Sequence, residues 1–336
     1  MTPKPTPPPE EDFKIPLLML AIIIIPAMIA LSRVQYAVPL MPPPPTPSPE
    51  YLPLDYIDDT SPYGYTWSLT LFLIPVIVLA VWFLRHPKYH IEKRSFWGTV
   101  LLLSPLGFAL DIFLGNSFFT FKNTGAVLGI YFPGYKFGAG WRLSIPIEEF
   151  AFYFLGFLAV LLLYIWCDLY WVADYSTDNS RPAEDLAAHQ LISLHFPSLG
   201  IALGLIVAAM LYKYFGPTPY PQGFPGYFTF LVLAGLVPAF LFFPVAKPLV
   251  NWRAFSVTLF MVLLISLLWE ATLAVPYQWW GYNYDQMIGM VVRPWDSLPV
   301  EATIVWLVVT WATVIFYEVI RSYFYLEVSK KREPTS

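Results

Sequence analysis

Long apolar runs alternate with short polar joints along most of the chain. Eight stretches, 15–33, 66–85, 96–115, 144–168, 191–213, 227–247, 255–275 and 299–322, are each nearly free of charge over 18 residues or more. A helix rises about 1.5 Å per residue, so each run can cross a hydrocarbon core of roughly 30 Å. The pattern predicts an all-α polytopic membrane protein with about eight transmembrane helices. The first run is long for a signal peptide and lacks a clear small-residue cleavage pattern, so it reads as a retained anchor. The segment that follows, "PLMPPPPTPSPEYLPLDYIDDTSPYGY", reads as an extended proline-rich linker outside the membrane.

An order of similar residues recurs within this pattern. Arg94 and Phe96 answer Arg253 and Phe255 at an offset of 159 residues, and the same offset places Asp111 on Glu270. "LGIYFPG" at 128–134 is aligned with "WGYNYDQ" at 280–286, with Gly129 on Gly281. Ser144, Pro146 and Glu148 then match Ser297, Pro299 and Glu301 at an offset of 153. The chain reads as two related halves of four spans each. An even number of spans per half keeps both in the same orientation, so the repeat is parallel. The expected organisation is a tail, anchor and linker over 1–65, a first repeat over 66–168, a hinge and linking helix over 169–226, a second repeat over 227–322 and a tail over 323–336.

Composition sharpens the class. The chain is 57% hydrophobic and 12% charged, whereas soluble domains carry about 25% charged residues. No basic stripe suggests nucleic acid as a partner. The single cysteine, Cys167, rules out an internal disulfide, and the four histidines are too scattered for a di-iron centre. No glycine-rich nucleotide fingerprint is present, so no metal or cofactor is expected. With the N-terminus inside, 13 Lys and Arg residues fall on the inner segments and 6 on the outer ones. That bias predicts a multi-pass cell-membrane protein with both termini cytoplasmic.

Five acids then share one depth near the outer ends of the spans. Asp111 and Glu270 sit in the apolar contexts "GFALDIFLG" and "LLWEATLAV"; Glu148, Glu149 and Glu301 open the fourth and eighth spans. A bland reading of the glutamates is a favourable charge at a helix N-terminus, worth about 0.3–1 kcal/mol. The spacing from Ser144 or Ser297 is off by one for a capping box. Acids within apolar spans usually mark a functional path, and carboxyl groups in differing environments form a proton donor and acceptor set. Neighbouring residues point about 100° apart on a helix, so only one of Glu148 and Glu149 can face a site squarely. Glu148 is favoured because it has a counterpart. Aromatic residues flank the acids. Trp141, Trp279, Trp280, Tyr282 and Trp295 are candidate substrate-binding residues, either as an interfacial belt or as the wall of a pocket that stabilises a cation.

The paired elements "IPIEEFAFY" and "LPVEATIVW", each following an acid-bearing helix and a Gly-aromatic loop, resemble the membrane-integral lycopene cyclases of the heterodimeric type and their fused two-domain relatives. The resemblance spans about residues 66–322. It implies redox-neutral cyclisation of the end groups of a long apolar polyene such as lycopene in the lipid bilayer, without cofactor, and other carotenoid enzymes as possible partners. By the motif, Glu148, Glu149 and Glu301 would be catalytic; Asp111 and Glu270 join them through the repeat. Ala302 departs from the motif where a second acid would complete it. Two other readings compete: a non-enzymatic carotenoid-binding or transport protein, and a Glu-Glu membrane endopeptidase using His195. The latter is weakened by Tyr153 in place of an Arg and by the lack of histidines after His195.

Overall fold

The structure, a computed structural model, describes residues 62–121, 123–136, 140–176, 192–218, 220–275, 277–292, 295 and 298–332. The predicted first span and the proline-rich linker lie outside these residues. Among the described residues, seven helices are long and apolar enough to cross a membrane: α1 Gly64–Arg85, α2 Lys93–Phe118, α3 Ile147–Trp171, α4 Phe196–Phe215, α5 Gly226–Ala246, α6 Trp252–Ala274 and α7, which runs Glu301–Arg332. The chain is an all-α multi-pass membrane protein. Among the described residues, six short strands lie in the connections: β1 Phe119–Thr120, β2 Tyr131–Lys136, β3 Gly140–Pro146, β4 Gly281–Tyr282, β5 Val291–Val292 and β6 Leu298–Pro299.

Packing follows the repeat. α3 lies on α1 and α2 as α7 lies on α5 and α6; α2 packs on α7 as α6 packs on α3; and α3 and α7 meet at the centre. This exchange of partners describes a two-fold arrangement of two three-helix units, with α4 added beside α5. Burial agrees with position. The most apolar stretch of α3 is 61% buried, and that of α4 only 22%, so α3 is a core helix and α4 turns most of its surface outward.

Local chemistry explains the breaks in these helices. Asp111–Gly115, Cys167–Trp171 and Glu270–Ala274 are π-helical turns at the ends of α2, α3 and α6. Such turns add a residue to the helical ladder and often mark functional sites. Pro244 in α5 has no N–H to give to Phe240 O, and the His195 N–H meets that carbonyl instead at 2.8 Å. The start of α6 is capped by Asn251, whose side chain accepts from the Ala254 N–H at 3.1 Å.

The two halves also join by reciprocal bonds at the acid-bearing end. β1 pairs antiparallel with β4, Phe119 opposite Tyr282. Asn123 Nδ2 donates to Tyr277 O at 3.2 Å, and Asn283 Nδ2 donates to Ser117 O at 2.9 Å. Residues 123 and 283, and 117 and 277, are related by one offset of 160. That register corrects the sequence alignment of this loop. Gly129, at φ 79°, corresponds to Gly289, at φ 89°, and not to Gly281. Both glycines occupy the left-handed region, which the turn requires and which a side chain would disfavour. The offset then falls to 153 within one hairpin. Tyr131 pairs with Pro146 in the first half and Val291 with Pro299 in the second, so the loop difference is concentrated between β2 and β3.

Candidate functional site

The first-turn glutamates do one job in both halves. Leu128 N–H donates to Glu148 Oε1 at 2.7 Å, and Ile288 N–H donates to Glu301 Oε1 at 2.6 Å. Each helix start is also pinned by its own backbone: Ile147 N–H to Ile130 O at 2.9 Å, Val300 N–H to Met290 O at 3.1 Å. The carboxylate therefore ties the loop before the hairpin to the helix after it. A typical hydrogen bond contributes about 0.5–1.5 kcal/mol net, comparable to the helix-end effect. Glu148 and Glu301 are both buried, and the Oε2 atom of each has no partner among the described residues.

A different pair lines a cavity. Glu149 and Glu270, one from each half, face a partly open cavity of about 30 Å³ walled by Phe119, Phe152, Tyr153, Tyr227, Trp269, Trp280, Tyr282 and Val305. A water needs roughly 10–15 Å³ measured this way, so there is room for about two. Thus Glu149, and not the favoured Glu148, takes the cavity-facing direction. The adjacent positions diverge by one helical step, and the bundle axis lies on the Glu149 side. Tyr65 donates its hydroxyl to Glu149 Oε1 at 2.8 Å, and Thr66 donates to Glu148 Oε1 at 2.6 Å. Tyr282 donates to Glu270 Oε2 at 2.8 Å, and Trp280 bonds the same carboxyl group. Burial, and then the neighbouring Glu270, push the Tyr282 hydroxyl well above the ordinary tyrosine range, so it stays a donor.

The aromatic wall is held in place as well. Trp269 Nε1 donates to Ser68 Oγ at 2.7 Å. Its ring lies 4.4 Å from Trp280 and 4.7 Å from Phe152 between centroids. Close aromatic pairs of this kind contribute about 0.5–1.5 kcal/mol each beyond the area they bury.

Asp111 is fully buried, and neither carboxyl oxygen has a partner among the described residues. It lies within electrostatic reach of Glu149 but is not a cavity residue. The repeat explains why. The two-fold relation exchanges Glu149 with Ala302 and Glu270 with Asp111, so the counterpart of the cavity would contain Ala302 and Asp111. One carboxyl group of the pair is missing there.

The five acids are therefore gathered at one end of the bundle, in three roles: two loop ties, two cavity walls and one unpartnered acid. The aromatic candidates divide. Trp280 and Tyr282 line the cavity. Trp279 is buried but stacks on Tyr277 at 5.8 Å, outside the cavity. Trp295 packs half-buried on the edge of the main core. Trp141 lies in β3 opposite Tyr135. His195, the histidine of the endopeptidase reading, accepts or donates at Ser198 Oγ at 2.7 Å at the start of α4. Lys213, near the far end of that helix, bonds the loop that holds Glu301. The 18 residue steps between them span about 27 Å, so His195 is at the opposite end of the bundle from the five acids.

Tyr65, Thr66, Phe152, Tyr227, Trp269 and Val305 were not singled out by the sequence. One signal existed for two of them: Gly64-Tyr65 and Gly226-Tyr227 begin equivalent helices. A second buried polar cluster has no counterpart in the sequence pattern. At the other end of the bundle Arg321 pairs with Glu318 at 3.2 Å and Asp168 at 3.4 Å; Tyr164 donates to Glu318 at 2.8 Å, and Asn251 Nδ2 to Asp168 at 3.0 Å. It ties α3, α6 and α7 together where the halves meet.

Comparisons with protein-family models, curated proteins and solved structures gave no match.

Proposed function

We propose that the chain is a membrane-embedded acid–base enzyme that cyclises the end group of a long apolar polyene of the lycopene type. The observation that carries this reading is the placement of Glu149 and Glu270, from opposite halves, on one aromatic-walled cavity within an apolar bundle. Two carboxyl groups are what a redox-neutral cyclisation needs. One adds a proton to the terminal carbon–carbon double bond, leaving a carbocation. A neighbouring double bond supplies the electron pair that closes the ring and moves the positive charge. The other carboxyl group removes a proton from the adjacent carbon, restoring a double bond. One proton enters and one leaves, so the product has the mass of the substrate.

Each neighbour has a part in that chemistry. Glu149 and Glu270 divide the two proton transfers, with Asp111 as a further acid in reach of Glu149. General acid–base groups of this kind contribute about 10²–10⁴-fold in rate. Tyr65, Tyr282 and Trp280 orient the carboxyl groups. Trp269, Trp280 and Phe152 offer ring faces to the cation, each interaction worth about 0.5–2 kcal/mol. The present cavity has water-sized room, so a polyene end enters by displacing the aromatic side chains around it. Glu148 and Glu301 act by fixing the loops. We place the protein in the cell membrane with both termini cytoplasmic, on the Lys and Arg bias.

Expression in lycopene-accumulating cells, followed by pigment chromatography and mass measurement, tests the reading. A cyclised pigment of unchanged mass is expected, and its loss in Glu149→Gln and Glu270→Gln. Unaltered linear pigment in cells that hold folded protein would overturn it. Co-purification of that pigment with the chain would point to binding without catalysis.

A further inference from the structure

Lys213 is fully buried in the last turn of α4, a helix that otherwise turns outward. A buried ammonium group in an apolar span needs partners. Its partners are two backbone carbonyls of the second-half loop: Met287 O at 2.6 Å and Tyr284 O at 3.2 Å. The Met287 carbonyl and the Ile288 N–H belong to one peptide group, and that N–H donates to Glu301 Oε1 at 2.6 Å. An ammonium, a carbonyl, an amide and a carboxyl group thus stand in one line. A peptide bonded at both ends is polarised in one sense, and each hydrogen bond strengthens the other.

We infer that Lys213 is a positioning residue for Glu301, acting through the Met287–Ile288 peptide group. The inference rests on the proposed function, in which Glu301 fixes the second-half loop beside the cavity. The loop is fixed further from the same side: Thr218 Oγ1 donates to Gly289 O at 3.1 Å, and the Tyr220 ring stacks on Tyr284 at 4.5 Å. Asp285 and Glu301 are the acids within electrostatic reach of Lys213. The first half has the equivalent peptide group. There the Val127–Leu128 peptide makes the same bond to Glu148, and among the described residues no lysine or arginine meets the Val127 carbonyl. Glu148 has the Thr66 hydroxyl as its second donor; Glu301 has the charge-backed peptide.

The test is infrared spectroscopy of the full chain reconstituted in lipid, which needs no substrate. The band of Glu301 is identified by subtraction of Glu301→Gln and that of Glu148 by Glu148→Gln. Lys213→Met removes the donor and the charge; Lys213→Gln keeps a donor and removes the charge; Lys213→Arg keeps both. The Glu301 band is expected to shift in the Met and Gln variants and to return in the Arg variant, with the Glu148 band fixed throughout. An unshifted Glu301 band in Lys213→Met and Lys213→Gln overturns the inference. So do bands that move together, or neutral variants that do not fold, since each makes Lys213 only a staple between α4 and the loop. Absence of cyclised pigment would instead remove the cyclase reading and leave the infrared result standing.

Discussion

The two halves share a frame and differ in what they place on it. Both have a π-turn acid, a left-handed glycine and a glutamate that reaches back to a loop N–H. Yet the first half carries Glu149 where the second has Ala302, and the second surrounds Glu270 with Trp269, Trp280 and Tyr282. The first half has Leu110, Thr120 and Lys122 at the matching places. The cavity that Glu149 and Glu270 share is built from the additions of both. A duplicated three-helix unit can keep its fold-forming contacts in both copies while its chemistry is assembled once, across the join.

The sharpest break in that comparison is chemical. Glu149→Gln and Glu270→Gln should each reduce cyclised pigment at least 100-fold, within the ~10²–10⁴-fold range of acid–base groups. Asp111→Asn should cost less than about ten-fold, because it removes an acid that does not line the cavity shared by Glu149 and Glu270. Equal losses at Asp111 and Glu270, measured as pigment per amount of folded protein, would make the halves functionally equivalent and end the argument for one site.

The tyrosines give a finer test. Tyr65→Phe and Tyr282→Phe each remove one donor from a cavity acid. A neutral hydrogen bond contributes about 0.5–1.5 kcal/mol, so each change should lower turnover by roughly two- to ten-fold. Tyr227 is the counterpart of Tyr65 and also lines the cavity, but no hydrogen bond to a cavity acid is seen from its hydroxyl among the described residues. Tyr227→Phe should leave turnover within about two-fold; an effect as large as that of Tyr65→Phe would make its hydroxyl, and not only its ring, part of the site.

Stability separates the glutamates that tie the loops. Thr66→Val leaves Glu148 Oε1 with Leu128 N–H alone and should cost about 1–3 kcal/mol in a reversible unfolding measurement in detergent. Turnover of the remaining folded protein should change little. The smallest expected change is none at all. Reporter fusions after residues 90 and 285 should report from opposite sides of the membrane without disturbing either half. The two positions are separated by the length of α2, whose 26 residues span about 39 Å. Signals from one side would break the parallel relation of the halves.

Much of this was written in hydropathy. Apolar runs specify the seven described helices because backbone groups in hydrocarbon must be satisfied within the helix itself. The depth of Asp111, Glu148, Glu149, Glu270 and Glu301 follows from their places along those runs, and the recurrence of the acids marks the duplication. Facing and partnership were decided elsewhere. Whether Glu148 or Glu149 meets the cavity depends on the direction of the bundle axis, which two adjacent positions in a sequence do not contain. Tyr65 and Thr66 stand 84 and 82 residues from the glutamates they bond, and helix packing alone brings them together. The match of Gly129 to Gly289 was hidden by a hairpin of different length, and Gly281 lay close enough to mislead. Lys213 reads in sequence as an ordinary charge at a span end, where long side chains usually reach for water. Only the packed loop turns it inward, because there two carbonyls replace the water it would otherwise seek.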